Sequence, residues 1–392
     1  MLNTPFTPWP SYTQEEADAV SAVLLSNKVN YWTGIHVREF EQEFATFTQS
    51  KYAIAVANGT VALELALRAL NIGEGDEVVV TSRTFIATVS SIVMVGATPV
   101  FADVDEFSQD ISAQTIAAVL SQRTKAVICV HLAGMPCDMD PIMALAKSNN
   151  IYVIEDCAQA HGALYKGKSV GSIGDIGSWS FCQDKIMTTA GEGGMVTTNN
   201  KVLFHSMWSY KDHGKTKDIV KADDNPHAFR WLHNSFGTNW RMTEIQAVIG
   251  RIQIKKMPNW HQLRRKNANA IIDTVEKFPE LLSITRPPSY IEHAWYKCYL
   301  FVKPQNFSKG WSRDGILEKI NSLGVPCYSG SCSEVYLEKA FDNTDWRPKK
   351  NLPIAQKLGK TSLMFLVHPS LSQQEIKKTC NVLSTVLKQA SK

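Results

Sequence analysis

No apolar run in the chain is long enough to cross a bilayer, and the opening MLNTPFTPWPSYTQEEADAV lacks a basic stretch followed by an apolar one. Neither secretion nor a membrane span is therefore expected, and the chain reads as cytoplasmic. Eight cysteines are present, but no CxxC pair and no dense framework joins them, which argues against a zinc site or a disulfide scaffold. Also missing are a GxGxxG turn after a strand, as a nicotinamide enzyme needs, and a GxSxG elbow joining strand to helix, as a serine hydrolase needs. His131, His161, His213 and His368 have no metal-ligand spacing. The 41 Lys and Arg residues are scattered among 37 acids, so the net charge of +4 describes a mixed solvated surface and no nucleic-acid face. What remains is a globular composition, 44% hydrophobic and 20% charged, in 392 residues, enough for two or three domains.

Pro5, Pro8 and Pro10 punctuate the start, and Thr13-Gln14-Glu15-Glu16 then caps an apolar-periodic helix over residues 17–25. A loop over 30–34 carries Tyr31 and Trp32, aromatics suited either to a core or to a ligand. After a second amphipathic helix over 37–48 the pattern changes and repeats. Short apolar strands over 53–57, 77–81, 98–102, 126–131 and 151–154 alternate with helices over 61–70, 84–95, 113–120 and 140–149. This predicts an α/β fold with a mostly parallel central sheet flanked by helices on both faces. Ligands of such sheets sit beyond the carboxyl ends of the strands, which draws Gly59-Thr60, Phe85, Asp156 and the loop around Lys185 into one neighbourhood. Residues 202–239 read as a long polar loop, functional or mobile. A helix over 240–256 is expected to break at Pro258 and to resume over 260–277. The remainder mixes strands (296–302, 363–367) with helices (311–323, 372–388). The division is thus a large domain, residues 1–250 with its N-terminal segment, and a smaller α+β domain, residues 251–392.

The stretch GSWSFCQDKIMTTAGEGGMVTTN sets Lys185 between two β-prone runs, beside the turn Gly191-Glu192-Gly193-Gly194. A lysine so placed can form a Schiff base with an aldehyde cofactor such as pyridoxal phosphate, provided its amine is partly neutral. That chemistry needs a carboxylate against the pyridine nitrogen. Asp156, closing a buried strand, has the right type and position; the competing reading is a cap before Cys157-Ala158. It also needs backbone N–H groups at a helix N-terminus for the phosphate, which Asn58-Gly59-Thr60 offers, with Ser180 as a second ligand. Finally the ring needs a face to stack on. Phe85 could supply it, or could be an ordinary core residue.

IEDCAQAHGA, SFCQDKIMTTAGEGGMVTTN and NWRMTEIQAVIG, with ANGTVALELAL and VHLAGMPCDMDPI, resemble in order and register the DegT/DnrJ/EryC1/StrS family of pyridoxal-phosphate sugar aminotransferases, fold type I. The resemblance runs from about Tyr12 to Pro369. It implies Lys185 as the Schiff-base lysine and Asp156 as the pyridinium partner. Gln159 would contact the ring on its hydroxyl side, Phe85 would stack, and Gly59, Thr60 and Ser180 would hold the phosphate. Asn239 matches the position that reaches the neighbouring subunit's phosphate, so a homodimer with shared active sites is implied. The family's dehydratase branch carries histidine where this chain has Lys185. L-Glutamate would donate the amino group and a UDP- or dTDP-linked keto-deoxy sugar would accept it, giving an amino sugar for polysaccharide, glycan or antibiotic biosynthesis, with Lys211, Arg230, His233 and Arg241 offering charge for a diphosphate. Alternatives are a non-nucleotide ketone of the cyclitol or aminoshikimate type, and a catalytically silent cofactor-binding regulator.

Overall fold

The computed structural model describes residues 5–216 and 233–392. At its start, the Thr13 amide and hydroxyl both donate to Glu16 Oε2, at 2.7 and 2.6 Å, and launch α1 (Gln14–Leu25). In α2 (His36–Phe47) Val37, Phe40 and Phe44 form one buried stripe. Strands β1 (Tyr52–Val56), β2 (Glu77–Thr81), β3 (Thr98–Ala102), β4 (Thr124–Val130) and β5 (Tyr152–Asp156) then alternate with α3 (Gly59–Ala69), α4 (Ile86–Met94), α5 (Ala113–Ala117) and α6 (Met139–Asn149). A small hairpin, β6 (Leu164–Tyr165) and β7 (Lys168–Ser169), precedes β8 (Ile176–Ser180) and β9 (Gly194–Thr198).

The central sheet has seven strands in the order β1-β9-β8-β5-β4-β2-β3. It is parallel at β3, β2, β4, β5 and β8, while β9 runs against both its neighbours. Its middle strands are buried on both faces, which is why they read as continuous apolar runs: Val78 and Val80 of β2 enter one core and Val79 enters another.

Two expectations about helices fail. Residues 201–211 are not loop: α7 (Lys201–Lys211) is capped by Asn200, whose Oδ1 accepts from Val202 N at 2.8 Å. Its buried side includes Lys211 beside Met207 and Trp208, and a buried lysine hides the apolar period. Nor does Pro258 break its helix, which runs unbroken from Glu244 to Val275. Proline there forfeits one backbone hydrogen bond. Burial of Met257 just before it, and of Ala268, Ile271 and Ile272 after it, outweighs that loss.

That long helix begins in the first core, with Ala247 and Met257, and ends in a second core around a four-stranded antiparallel sheet. The second sheet orders β10 (Leu282–Ser283), β12 (Cys298–Val302), β14 (Ser362–Phe365) and β13 (Cys327–Tyr328), while β11 (Ile291–Glu292) pairs with β6. A boundary at 250/251 falls inside the helix, and we propose that the change from large to small unit lies further along it, between Met257 and Ala268. At the start of the chain, Phe6 packs on the second core and the Thr7 amide bonds Glu375, while Tyr31, Val37, Phe40 and Phe44 belong to the first core.

Candidate active site

The strand ends converge on a helix N-terminus. Asn58 is extended and its Oδ1 accepts from Val61 N at 3.0 Å, so α3 opens at Gly59 and Thr60 with its first amides unpaired within the helix. Ser180, at the end of β8, presses against this turn. A Cβ added to Gly59 would lie 2.6 Å from Ser180 Cβ, and one added to Gly194 would lie 2.3 Å from the Asn58 carbonyl oxygen. Glycine is required at both places by close approach. The result is a cradle of backbone amides at the positive end of a helix, with the Ser180 and Thr60 hydroxyls beside it, suited to a phosphate.

Asp156 closes β5 and is buried. Its Oδ2 accepts from Thr88 Oγ1 at 2.9 Å and its Oδ1 from Ala158 N at 3.2 Å. Burial raises its carboxyl above the ordinary value, against the opposing pull of these two donors and of the Lys185 ammonium. Thr88 stands one helical turn after Phe85, the residue that starts α4. Phe85 is 68% exposed and therefore no part of the core, which leaves its ring open to a ligand. Behind Asp156, buried His131 and Glu155 bond each other at 3.0 Å, and His131 Nδ1 accepts from Cys137 N at 3.0 Å. These contacts, with the Ile173 and Gly174 amides donating to Glu155 Oε1, occupy a trio with Cys157 that could otherwise be read as a metal cluster. Gln159, half-buried, is oriented by the Ala133 amide, which donates to its Oε1 at 2.8 Å.

Lys185 rises from the loop between β8 and β9. The loop is tight: Lys185 N donates to the Cys182 carbonyl at 3.1 Å, Thr189 N to that of Phe181 at 3.2 Å, and Ala190 and Gly191 both take positive φ. Lys185 Nζ lies 3.6 Å from Asp184 Oδ1 and 5.3 Å from the centre of the Tyr296 ring, whose hydroxyl donates to Asp184 Oδ2. Burial pushes the Asp184 carboxyl up, but the Lys185 ammonium and the Tyr296 hydroxyl prevail and hold it below its ordinary value. Neighbouring Lys297 is lowered to about 8, mainly by burial. Thr88, Asp184 and Tyr296 had not been singled out in the sequence. Thr88 carried a usable signal, its one-turn spacing from Phe85, whereas Tyr296 lies 112 residues from Asp184 and carried none.

The profile of the DegT/DnrJ/EryC1/StrS aminotransferase family matches residues 10–384. The chain belongs to that family. It is 35% identical over 379 residues to the GDP-perosamine synthase of Escherichia coli O157:H7, covering 96% of each chain. It is 32% identical over 377 residues to dTDP-3-amino-3,6-dideoxy-alpha-D-galactopyranose transaminase of Aneurinibacillus thermoaerophilus, covering 95% of each. Among solved structures, an aminotransferase from Psychrobacter cryohalolentis is 62% identical, with a TM-score of 0.97 over 98% of this chain and 100% of that one. The cofactor of this aminotransferase family is pyridoxal 5′-phosphate. The donors around Gly59, the buried carboxylate, the exposed aromatic and the loop lysine fit that group.

Of the described residues expected to offer charge for a diphosphate in this aminotransferase, Lys211 is the one whose surroundings oppose that role. Lys211 is fully buried, 3.1 Å from Glu41 Oε1, and an internal ion pair leaves it no access to a ligand. Arg241 donates to Asp212 Oδ1 at 2.5 Å. His233 is exposed and Arg230 lies outside the described residues. Asn239 is exposed, on the segment whose Trp240 carbonyl accepts from Ala57 N at 2.9 Å, next to the Gly59 cradle. Tyr31 is core, with Lys211 Nζ 4.2 Å from its ring centre. A GxSxG string, Gly167 to Gly171, places Ser169 buried on β7 and away from any strand-to-helix elbow.

Among the described residues no helix is long and apolar enough to cross a membrane.

Proposed function

We propose that this chain transfers the amino group of L-glutamate to the keto group of a nucleotide-linked keto-deoxy sugar, yielding an amino sugar for a polysaccharide or other glycan. In this reading it is a cytoplasmic homodimer. The observation that carries it is Lys185, a lysine where the dehydratase branch has histidine, set in a tight loop within electrostatic reach of the buried Asp156 carboxylate. Relatives whose names specify GDP- and dTDP-linked amino sugars support the substrate class.

Pyridoxal phosphate bound here supplies an electrophilic carbonyl and an electron-withdrawing ring. Lys185 would hold the cofactor through its Nζ, and the same amine would be the group that takes and returns the proton at the reacting carbon. Asp156 would face the ring nitrogen and favour its protonated form, and the Thr88 and Ala158 donors hold the carboxylate oxygens in place. Gly59, Thr60 and Ser180 would hold the phosphate, Phe85 would stack on the ring, and Gln159 would hydrogen-bond on its hydroxyl side. Asn239, exposed beside the cradle, would reach the phosphate held by a second copy, so that the site would be completed as a dimer.

Purified protein is assayed with glutamate against UDP-, dTDP- and GDP-linked keto sugars and against free cyclic ketones. Amination confined to the free ketones would overturn the nucleotide-sugar reading in favour of a cyclitol-type substrate. No turnover of any ketone, with an absorbance spectrum unchanged in Lys185→Ala, would favour a silent regulator.

A further inference from the structure

The N-terminal segment, which played no part in the expected chemistry, reaches the lysine loop. Phe6 packs on the second core, the Thr7 amide and hydroxyl donate to Glu375, and Ser370 Oγ donates to the Pro8 carbonyl at 2.9 Å. These contacts tie residues 6–8 to the smaller unit. One residue later the indole N–H of Trp9 donates to the backbone carbonyl of Lys185 itself, at 2.7 Å.

That indole is held from several directions. The Trp260 ring meets its edge at 5.0 Å and 83°, His368 stacks on it at 5.9 Å, and the Arg264 guanidinium sits 5.1 Å from its ring. Arg264 is buried; among the described residues it pairs with no carboxylate, and its Nη1 donates only weakly, to the Trp295 and Tyr296 carbonyls at 3.3 and 3.4 Å. The Trp9 π-face therefore takes up part of that charge, and the attraction fixes the ring. A second contact joins the same segment to the same loop. Glu16 Oε1 accepts from Gln253 Nε2 at 3.2 Å, and Gln253 Oε1 accepts from Thr188 N at 2.9 Å.

We propose that residues 9–16 brace the loop carrying Lys185, and that Trp9 is a positioning residue for the lysine amine. The inference rests on Lys185 being the cofactor-bearing lysine. The physical reason is that, among the described residues, the Trp9 indole is the one donor that the Lys185 carbonyl meets, so this contact helps to set the Lys185–Ile186 peptide plane. Tilting that plane swings the attached side chain, and small misplacements of a reacting atom are costly in rate.

The test uses the full chain. In the cofactor-free protein, acetic anhydride competes for Lys185 and for exposed Lys309 across a pH series, read by peptide mass spectrometry. Trp9→Phe is expected to change the relative labelling of Lys185 about threefold or more, and in the loaded enzyme to lower kcat about tenfold with the KM for glutamate within about twofold. Gln253→Met, which removes the second contact, is expected to move the labelling as well and carries the test if Trp9→Phe does not fold. Arg286→Ala, at a remote surface ion pair, is expected to change neither. Unchanged labelling and kcat in folded Trp9→Phe or Gln253→Met would overturn the brace. Borohydride reduction of the unsubstituted loaded enzyme separates the two readings: cofactor fixed to another lysine overturns the Lys185 assignment and the brace with it, whereas fixation at Lys185 leaves the labelling to decide the brace alone.

Discussion

Asp156→Asn separates two accounts of one buried carboxylate, a structural cap or a partner for a ring nitrogen. The substitution keeps the shape and one accepting oxygen. Its new amide group would face Thr88 Oγ1, which now donates to Oδ2 at 2.9 Å. Thr88 also shares a 2.9 Å hydrogen bond with Thr84 in which either hydroxyl can donate, so the pair can reverse direction and accept from the amide. The folding cost is then that of one rearranged hydrogen bond, about 1 kcal/mol. Working the other way, burial raises the Asp156 carboxyl in the folded protein. A raised carboxyl contributes stability that is complete below the unfolded value of about 3.9 and is lost as pH rises through the folded value. Cofactor-free wild-type protein therefore loses that contribution as pH rises, and the asparagine variant does not titrate. Urea unfolding of both cofactor-free proteins from acid to neutral pH should show a flatter curve for the variant. Turnover of the loaded enzyme should nevertheless fall by about 10²–10³, the cost of removing one preorganised electrostatic contact. A variant destabilised by more than about 2 kcal/mol at pH 7 with turnover retained would refute the ring-partner account and leave Asp156 a cap.

Gly59→Ala drives a methyl to 2.6 Å from Ser180 Cβ, so the cradle must open; cofactor affinity measured by fluorescence titration should fall about tenfold, or ~1.4 kcal/mol, and unchanged affinity would place the phosphate elsewhere. Lys211→Met strands the Glu41 carboxylate beside the Ala55 amide and should cost about 3 kcal/mol in denaturant unfolding; a raised KM for the sugar nucleotide with stability intact would restore the diphosphate role. Tyr296→Phe removes a donor that helps hold Asp184 low, so the stability that this carboxylate contributes when ionised should be lost at a higher pH on acidification, and superimposable urea-unfolding curves from neutral to acid pH would detach Tyr296 from Asp184.

Much of the fold was legible because its signals are local. Runs such as Val78-Val79-Val80 have to feed two cores, and only a sheet covered on both faces buries every one of them. Asn58 and Thr60 mark a helix start by side-chain chemistry that operates within a few residues. Pro258 and Lys211 misled for one shared reason. Their local preferences, against helix interior and against burial, were each overruled by neighbours distant in sequence: two cores along one helix, and Glu41 across the fold. Phe85 lay between, since composition cannot say which face of a helix start meets solvent.

The sequence by itself determined the alternation of strands and helices, the glycines at the close approaches, and the types of residue at 59, 60, 156, 180 and 185, since backbone propensity and motif chemistry act over short separations. Only the tertiary structure decided that β9 runs antiparallel beside β1, that Lys211 is paired internally, that Tyr296 meets Asp184, and that Trp9 meets Lys185. Such contacts join residues more than a hundred positions apart, and no local pattern encodes them, because each depends on the summed packing of everything between.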